Sequence, residues 1–127
     1  MSKYALDSSA ILALLNEEPG KDRVKAALKD SIISSVNYCE VLTKLSDSGF
    51  TEAESIEIFR LLNLPVINFD RETARIAARL RSKTKRYGLS LGDRSCLALA
   101  LVRNLKAVTA ERIWSKLKIG VRIEIVR

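Results

Sequence analysis

Histidine is absent from the 127 residues of the chain. Its absence excludes a Ser-His-Asp triad, a Cys-His pair and a histidine general base. Zinc chemistry also loses its usual nitrogen ligand. Any catalysis must therefore use carboxylates, Lys, Tyr, Ser or Thr, or a hard metal ion held by oxygen atoms.

Cysteine is scarce as well, since the chain has only Cys39 and Cys96. They lie far apart and neither belongs to a CxxC pair, which argues against a zinc site. We expect both to be small, buried hydrophobic residues.

Long hydrophobic runs are also missing. The longest uninterrupted apolar run, residues 96–102, is far below the roughly 18 residues that span a bilayer. Asp7 interrupts the apolar N-terminus before a signal-like core forms. We therefore expect a cytoplasmic protein that does not contact a membrane, folded as a single domain over residues 1–127. The 22 Lys and Arg against 15 Asp and Glu give a net charge of +7, which favours a polyanionic partner.

Short apolar runs alternate with helical stretches along the whole chain. The runs predict strands at 3–6, 31–34, 64–69, 106–109 and 121–126, the last as an edge strand. Between them the pattern predicts helices at 10–15, 21–29, 35–46, 51–62, 70–87 and 90–101, and a helical turn at 109–114. This alternation predicts a parallel sheet with helices on both faces.

Four acids follow strands of that predicted sheet or begin the next helix. Asp7 ends the first strand, Glu40 lies just beyond the second, and Glu111 follows the fourth. Asp93 lies in the first turn of the most apolar helix, on a stripe with apolar residues. Ligands of such sheets bind beyond the carboxyl ends of the strands, so the four acids point to one crevice. Carboxylates this close repel one another and need a cation, and oxygen ligands without histidine select Mg²⁺ or Mn²⁺.

Each acid also has an ordinary structural explanation. Asp7 suits a helix N-cap. Glu40 falls on the polar side of its predicted helix, beside Asn37, and so reads as a solvated residue. Asp93 could complete a capping box with Ser90.

The helix predicted over 70–87 is strongly basic. Arg71, Arg75, Arg79 and Lys83 recur every four residues and form a ribbon along it. A ribbon of this kind is either a solvated face or a surface that follows nucleic-acid phosphates without reading sequence.

Four motifs resemble those of the PIN-domain ribonucleases, in particular the VapC-type toxins of toxin–antitoxin pairs. They are Leu6-Asp7-Ser8-Ser9, Ser35-Val36-Asn37-Tyr38-Cys39-Glu40-Val41, Gly88-Leu89-Ser90-Leu91-Gly92-Asp93 and Val108-Thr109-Ala110-Glu111-Arg112-Ile113-Trp114. The resemblance covers essentially the whole chain. It implies a compact three-layer α/β/α sandwich, with a mostly parallel sheet of four or five strands, and an acidic, metal-binding pocket that cleaves single-stranded RNA.

The resemblance also assigns roles to individual residues. Asp7, Glu40 and Asp93 match the three most regular acids of the family, and Glu111 stands where the fourth is usually Asp. Ser9 and Thr109 match positions that support the pocket by hydrogen bonding. Members are commonly homodimers silenced by an antitoxin.

On these grounds we expect a Mg²⁺- or Mn²⁺-dependent endoribonuclease. Asp7 and Asp93 are expected to bind the principal metal, Glu40 to orient it, and Glu111 to support a second ion. In-line attack of water would leave a 5′-phosphate and a 3′-hydroxyl. The basic side chains expected to bind RNA are Arg75, Arg79, Lys83 and Arg86.

Two other functions compete with this one. A receiver-like signalling module also has a parallel sheet, with Asp70 after its third strand and Thr109 after its fourth. It would need an acidic pair after the first strand, where only Asp7 stands. The other candidate is a non-catalytic RNA-binding subunit in which the acids serve only as helix caps.

Overall fold

Five parallel strands form one sheet in the computed structural model, which describes all residues from 1 to 127. The strands are β1 (Tyr4–Leu6), β2 (Ser31–Ser34), β3 (Val66–Ile67), β4 (Lys106–Thr109) and β5 (Ile123–Ile125). The α-helices are α1 (Ser8–Leu15), α2 (Lys21–Ala27), α3 (Ser35–Asp47), α4 (Glu52–Arg60), α5 (Arg71–Arg79), α6 (Arg81–Thr84) and α7 (Leu91–Arg103). Short 3₁₀ helices cover Leu28–Asp30, Lys85–Tyr87 and Arg112–Lys116.

The order of strands across the sheet is β3-β2-β1-β4-β5. Every neighbouring pair is parallel, which confirms the predicted sheet, and β5 is an edge strand as expected. The order reverses between β1 and β4, so the ligand crevice of such a sheet lies beyond the ends of these two strands. A receiver-like module has the order 2-1-3-4-5. The receiver alternative is therefore wrong at the level of topology.

Helices cover both faces of the sheet. Alternate residues of each buried strand point to opposite faces, so each face presents apolar side chains to its own layer of helices. Ala5, Ile32 and Ala107 pack into one cluster together with α5 and α7. Their neighbours Leu6, Ile33 and Val108 pack into a second cluster with α1, α3 and α4. The predicted three-layer α/β/α sandwich is thus confirmed.

Helix α7 packs closely on the centre of the sheet because the side chains on its contact face are small. Cys96 is fully buried, and its thiol donates to the backbone oxygen of Ala5 at 3.6 Å. The expectation of a buried cysteine is confirmed for Cys96 but wrong for Cys39, which is exposed on α3. Cys39 lies between the buried positions Asn37 and Val41, on the outer side of the helix.

The basic segment 70–87 is three consecutive helical pieces, and the prediction of one long helix is wrong. Helix α5 ends at Leu80, whose backbone oxygen accepts from the Lys83 amide at 3.1 Å and from the Thr84 hydroxyl at 2.9 Å. In a continuous α-helix the Leu80 carbonyl would accept from the backbone amide four residues later. Here it accepts from the amide three residues later and from a side-chain hydroxyl. Arg71, Arg75 and Arg79 therefore share α5, whereas Lys83 lies on α6.

The third strand is also shorter than the predicted 64–69, since only Val66–Ile67 pairs with β2. The Phe69 amide instead donates to the hydroxyl of Ser35 at 3.0 Å. None of the helices has both the length and the hydropathy of a membrane span.

The two cysteines are expected to differ in reactivity towards a thiol reagent. Burial raises the pKa of the Cys96 thiol well above its ordinary value, and the thiolate is the reactive form. The folded protein should therefore label rapidly at Cys39 alone, and Cys39→Ser should remove that labelling until denaturant is added. Rapid labelling of native Cys39→Ser would contradict the packing of α7.

Candidate metal and nucleic-acid site

Asp7 lies at the reversal point of the sheet, directly after β1, and only 1% of it is exposed. It occupies the N-cap position of α1, yet its side chain makes no capping hydrogen bond. The ordinary explanation of Asp7 as a helix cap is therefore wrong. Its carboxylate is bound by a side chain of α1 and by a side chain of β4, and not by a backbone amide of α1.

Two hydroxyl groups hold one oxygen of the Asp7 carboxylate. Oδ2 accepts from Ser9 at 2.6 Å and from Thr109, at the end of β4, at 3.0 Å. Each hydroxyl in turn accepts a backbone amide, Ser9 from Ala110 at 2.9 Å and Thr109 from Glu111 at 3.0 Å. The two hydroxyl oxygens also lie 3.1 Å from each other, so Asp7, Ser9 and Thr109 form one hydrogen-bonded group that is fixed by these two amides.

The other oxygen of Asp7, Oδ1, is buried and has no hydrogen-bond partner. Burial raises the pKa of the carboxyl from 3.8 to about 7. The charges of Asp93 and Glu40 act in the same direction, and the hydrogen bonds from Ser9 and Thr109 oppose it. An unpartnered buried carboxylate oxygen is costly, so this atom is the point of the site that most needs a cation.

Glu40 projects from α3 towards the same crevice. Its Oε1 accepts from Ser8 at 2.9 Å and from the Nδ2 of Asn37, also at 2.9 Å. Asn37 is fully buried, and its Nδ2 also donates to the Gly92 carbonyl of α7 at 3.0 Å. The placement of Asn37 and Glu40 on a solvated face is therefore wrong, because this face of α3 packs against α7.

Gly92 leaves the space in which the Glu40 carboxylate lies. A β-carbon built at Gly92 would overlap both oxygens of that carboxylate. Sequence reasoning missed both Gly92 and Asn37 as parts of the site. Their signal was weak, since a glycine in the first turn of a helix and an asparagine on a helix are each common.

Asp93 completes a capping box at the start of α7. Its Oδ2 accepts from the Ser90 amide at 2.8 Å, and its own amide donates to the Ser90 hydroxyl at 3.2 Å. The side chain is half-buried, not enclosed by the apolar stripe. Its charge still acts on Asp7, and Oδ1 is not needed for the cap.

Glu111 follows Thr109, and its amide donates to the Thr109 hydroxyl, but its side chain lines a different cavity from this group. It is exposed and lines a polar cavity of about 400 Å³ that also contains Ser9, Asn16, Lys44 and Arg127. The charges that raise the pKa of Asp7 come from Asp93 and Glu40. The structure thus groups three of the four acids and places the fourth in the adjoining cavity.

The three grouped acids suit a hard divalent cation. Their donors are carboxylate oxygens, the two charges that act on Asp7 are both negative, and Asp7 Oδ1 is unpartnered. No three carboxylates or thiols converge closely enough to ligate one ion in the present side-chain positions. Ligation of one ion therefore requires the side chain of Asp93 or Glu40 to rotate. At present Asp93 caps α7, and Glu40 accepts from Ser8 and Asn37.

The four predicted RNA-binding residues fall into two groups. Arg75 and Arg79 are exposed on α5. Lys83 and Arg86 line a separate cavity of about 530 Å³, together with Lys116 and Lys118. The last two were not identified from the sequence, because they lie far along the chain from the basic segment.

Residues 4–120 match the family model described as PIN domain. Among solved structures, DNA-bound VapBC from Salmonella typhimurium is similar, with 22% identity, a TM-score of 0.76 and complete coverage of both chains. VapBC2 from Rickettsia felis, bound to a promoter fragment, has 20% identity and a TM-score of 0.74 over 96% of this chain and 97% of that one. VapBC-5 from Mycobacterium tuberculosis has 22% identity and a TM-score of 0.67 over 100% and 99%. No curated protein matches the sequence significantly.

The buried carboxyl of Asp7 predicts a pH-dependent stability of the metal-free protein. Its pKa is higher in the folded than in the unfolded state, so the folded state binds more protons between pH 4 and 7. Stability in EDTA should therefore fall as the pH rises through this range, by at most about 4 kcal/mol from this group. Urea midpoints measured at several pH values test this.

The matched variant is Asp7→Asn, which keeps the shape and cannot ionise. Its urea midpoint should change less with pH over the same range, and Mn²⁺ should stabilise only the parent protein above pH 7. An unchanged pH dependence in the variant would mean that another group titrates.

The contact between Gly92 and Glu40 predicts a substitution whose effect depends on its partner. Gly92→Ala should displace the Glu40 carboxylate and cost about 1–2 kcal/mol, because hydrogen bonds from Ser8 and Asn37 are lost. In a Glu40→Ala background the same change should be neutral or stabilising, since alanine favours a helix. Urea unfolding of the four proteins gives the coupling energy. Equal losses in both backgrounds would show that the carboxylate is not the obstacle.

Proposed function

The chain belongs to the PIN domain family, and on this premise we propose that it is a divalent-metal-dependent endoribonuclease, the toxin of a toxin–antitoxin pair. The observation that carries the proposal is Asp7. It is buried at the reversal point of the sheet, with one oxygen held by two hydroxyls and the other unpartnered. A carboxylate in this position is unfavourable unless a cation joins it.

We assign Asp7 and Asp93 to the principal metal, a Mg²⁺ or Mn²⁺ ion, through Asp7 Oδ1 and Asp93 Oδ1. A divalent ion bound there lowers the pKa of water and stabilises charge on a phosphodiester. Glu40 orients the site and accepts a proton from the attacking water. Ser9 and Thr109 hold the Asp7 carboxylate in place by hydrogen bonds. Glu111 supports a second ion from the adjoining cavity.

Hydrolysis in this site needs no group that the chain lacks. Water attacks phosphorus in line, the bond to the leaving 3′-oxygen breaks, and the products are a 5′-phosphate and a 3′-hydroxyl. Glu40 can accept the proton through Oε2, because the hydrogen bonds from Ser8 and Asn37 both go to its Oε1. Arg75 and Arg79 supply phosphate contacts from the exposed face of α5.

The alternative of a non-catalytic RNA-binding subunit requires the acids to be helix caps. Asp93 does cap α7. Asp7 does not cap α1, and Glu40 lies within α3. Two of the three acids therefore lack the structural role that this alternative gives them.

The proposal extends to the partners of the chain. The similar chains from Salmonella typhimurium and Rickettsia felis belong to VapBC complexes, and one further structure is described as a toxin–antitoxin complex from Klebsiella pneumoniae. We propose that this chain is likewise held inactive by an antitoxin that occupies the crevice, and that it acts as a homodimer.

Removal of either metal-binding charge tests the proposed reaction. Asp7→Asn and Asp93→Asn should each lower the rate of cleavage of single-stranded RNA by roughly 100-fold or more, the scale of losing one preorganised electrostatic group. Mn²⁺ should stabilise the parent protein against heat, and neither variant should respond. Activity that persists in EDTA would rule out the metal mechanism.

Asp70→Asn provides the matched control. Asp70 caps α5 by accepting from the Thr73 amide at 2.9 Å, and asparagine caps helices equally well. This variant should keep both its stability and its cleavage rate. Loss of activity in all three variants alike would point to a general effect of removing negative charge.

A further inference from the structure

The largest basic cavity of the molecule lies outside the acidic crevice. It is about 530 Å³ in volume and is lined by Ser82, Lys83, Arg86, Tyr87, Lys116 and Lys118. Four of the six residues are cationic and none is acidic. The four ion pairs of the structure use other cations, namely Arg23, Arg60, Lys106 and Arg127.

The backbone fixes the direction of the two lysines. After the 3₁₀ helix Arg112–Lys116 the chain is extended at Leu117, with φ −76° and ψ 137°. Leu117 and Ile119 pack against the hydrophobic core, so the alternate residues Lys116 and Lys118 are directed outward together. Both line the cavity because of this alternation.

The opposite wall is also preorganised. Tyr87 packs against the same core cluster, and the guanidinium carbon of Arg86 lies 4.7 Å from the centre of its ring. Arg86 also donates to the Tyr87 hydroxyl. The arginine is therefore held at the cavity by a cation–π contact and a hydrogen bond, and its remaining donors are free to bind an anion.

A concave group of like charges differs from the solvated ribbon of α5. Walls of low dielectric constant focus the field of a cleft, whereas charges on a convex helix are each surrounded by water. Four unpaired cations around one concave space repel one another. An anion that enters the cavity relieves this repulsion, so the cavity is selective for negative groups.

Both walls lead directly to the acidic crevice. The Lys85–Tyr87 helix runs through Gly88 into the Ser90–Asp93 capping box, and the Arg112–Lys116 helix begins after Glu111. At a rise of about 2 Å per residue in a 3₁₀ helix, Lys116 lies on the order of 10 Å from Glu111.

We propose that this cavity binds a backbone phosphate of the RNA strand, a few nucleotides from the bond that is cut in the acidic crevice. The identity of the strand as RNA rests on the proposed function. The charge and position of the cavity do not depend on the proposed function. Lys116 and Lys118 are thus assigned as substrate-positioning residues, together with Lys83 and Arg86.

Binding measured without cleavage is the first test. Mixed-sequence, fluorescein-labelled single-stranded RNA of about 12 nucleotides, within the site sizes of single-strand-binding proteins, is titrated in EDTA and followed by anisotropy. Lys116→Gln/Lys118→Gln should weaken binding several-fold and lower the slope of log K against log salt by about 1 for each lost phosphate contact.

The control removes two charges from a different cavity, at the amino ends of two inner strands. Lys3→Gln/Arg122→Gln alters a smaller basic cavity, of about 280 Å³, at the amino ends of β1 and β4. This control should change RNA affinity and salt slope much less. Equal effects of the two double variants would overturn the proposal, because net charge alone would then explain the binding. Thermal unfolding verifies that both variants are folded.

Cleavage separates this proposal from the proposed function. In Mg²⁺ the cavity variant should lose kcat/KM mainly on strands long enough to reach the cavity, and least on the shortest strand that is cut. Normal cleavage and affinity in the cavity variant would overturn the cavity proposal and leave the nuclease intact. RNA binding that needs the two lysines, with no cleavage in any metal, would overturn the nuclease and leave the phosphate site.

Competition tests the other class of polyanion. Unlabelled polyuridylate and polyglutamate are compared as competitors at equal concentrations of phosphate and carboxylate groups. Polyuridylate should displace the labelled RNA at the lower concentration. If polyglutamate competes better, and does so only when the two lysines are present, the cavity binds an acidic polypeptide and the proposal is wrong.

Discussion

The burial of one carboxylate, that of Asp7, is the constraint on which the rest of the site depends. A charge removed from water is unfavourable by several kcal/mol unless neighbouring groups compensate it. Here Ser9 and Thr109 compensate one oxygen, and the neighbouring carboxylates of Asp93 and Glu40 oppose ionisation. Without a metal, the Asp7 carboxyl therefore loses its proton near neutral pH, and its ionised form is then available to a cation. On the proposed function, this balance favours a divalent ion, because a cation satisfies Oδ1 and the two neighbouring charges at once.

Asn37 connects this balance to the packing of the helices. Its single amide nitrogen binds Glu40 on its own helix and the Gly92 carbonyl on α7. The position of Glu40 is therefore set by the distance between α3 and α7, and Gly92 permits that distance by having no side chain. Thr109 plays the corresponding part between β1 and β4. The acids are thus held by contacts between elements far apart in sequence, so a change in helix packing alters the site directly.

The sequence predicted the sheet, and the proximity of three of the acids, better than it predicted their surroundings. The strands Ser31–Ser34 and Lys106–Thr109 were located because their apolar runs are short and bounded by polar residues. The Asn37 and Glu40 face of α3 was misjudged because a helical wheel counts apolar residues, and here a polar face is buried against another polar group. The break at Leu80 was missed because Arg, Ser, Lys and Thr are all acceptable within a helix. At the interruption the Leu80 carbonyl accepts from the Thr84 hydroxyl, a contact that no periodicity records.

The opposite charges of the crevice and the basic cavity constrain how a nucleic-acid strand can bind. Above pH 7 the metal-free crevice carries like charges that repel a phosphate, whereas the cavity attracts one whether or not a metal is present. On the proposed function, a strand therefore binds first by its phosphate in the cavity, and the neighbouring bond enters the crevice only when a divalent ion has reversed the local charge. The metal would then control the register of the strand as well as the reaction. The net charge of +7 understates this arrangement, because it averages a compact negative group with a compact positive one in a separate cavity.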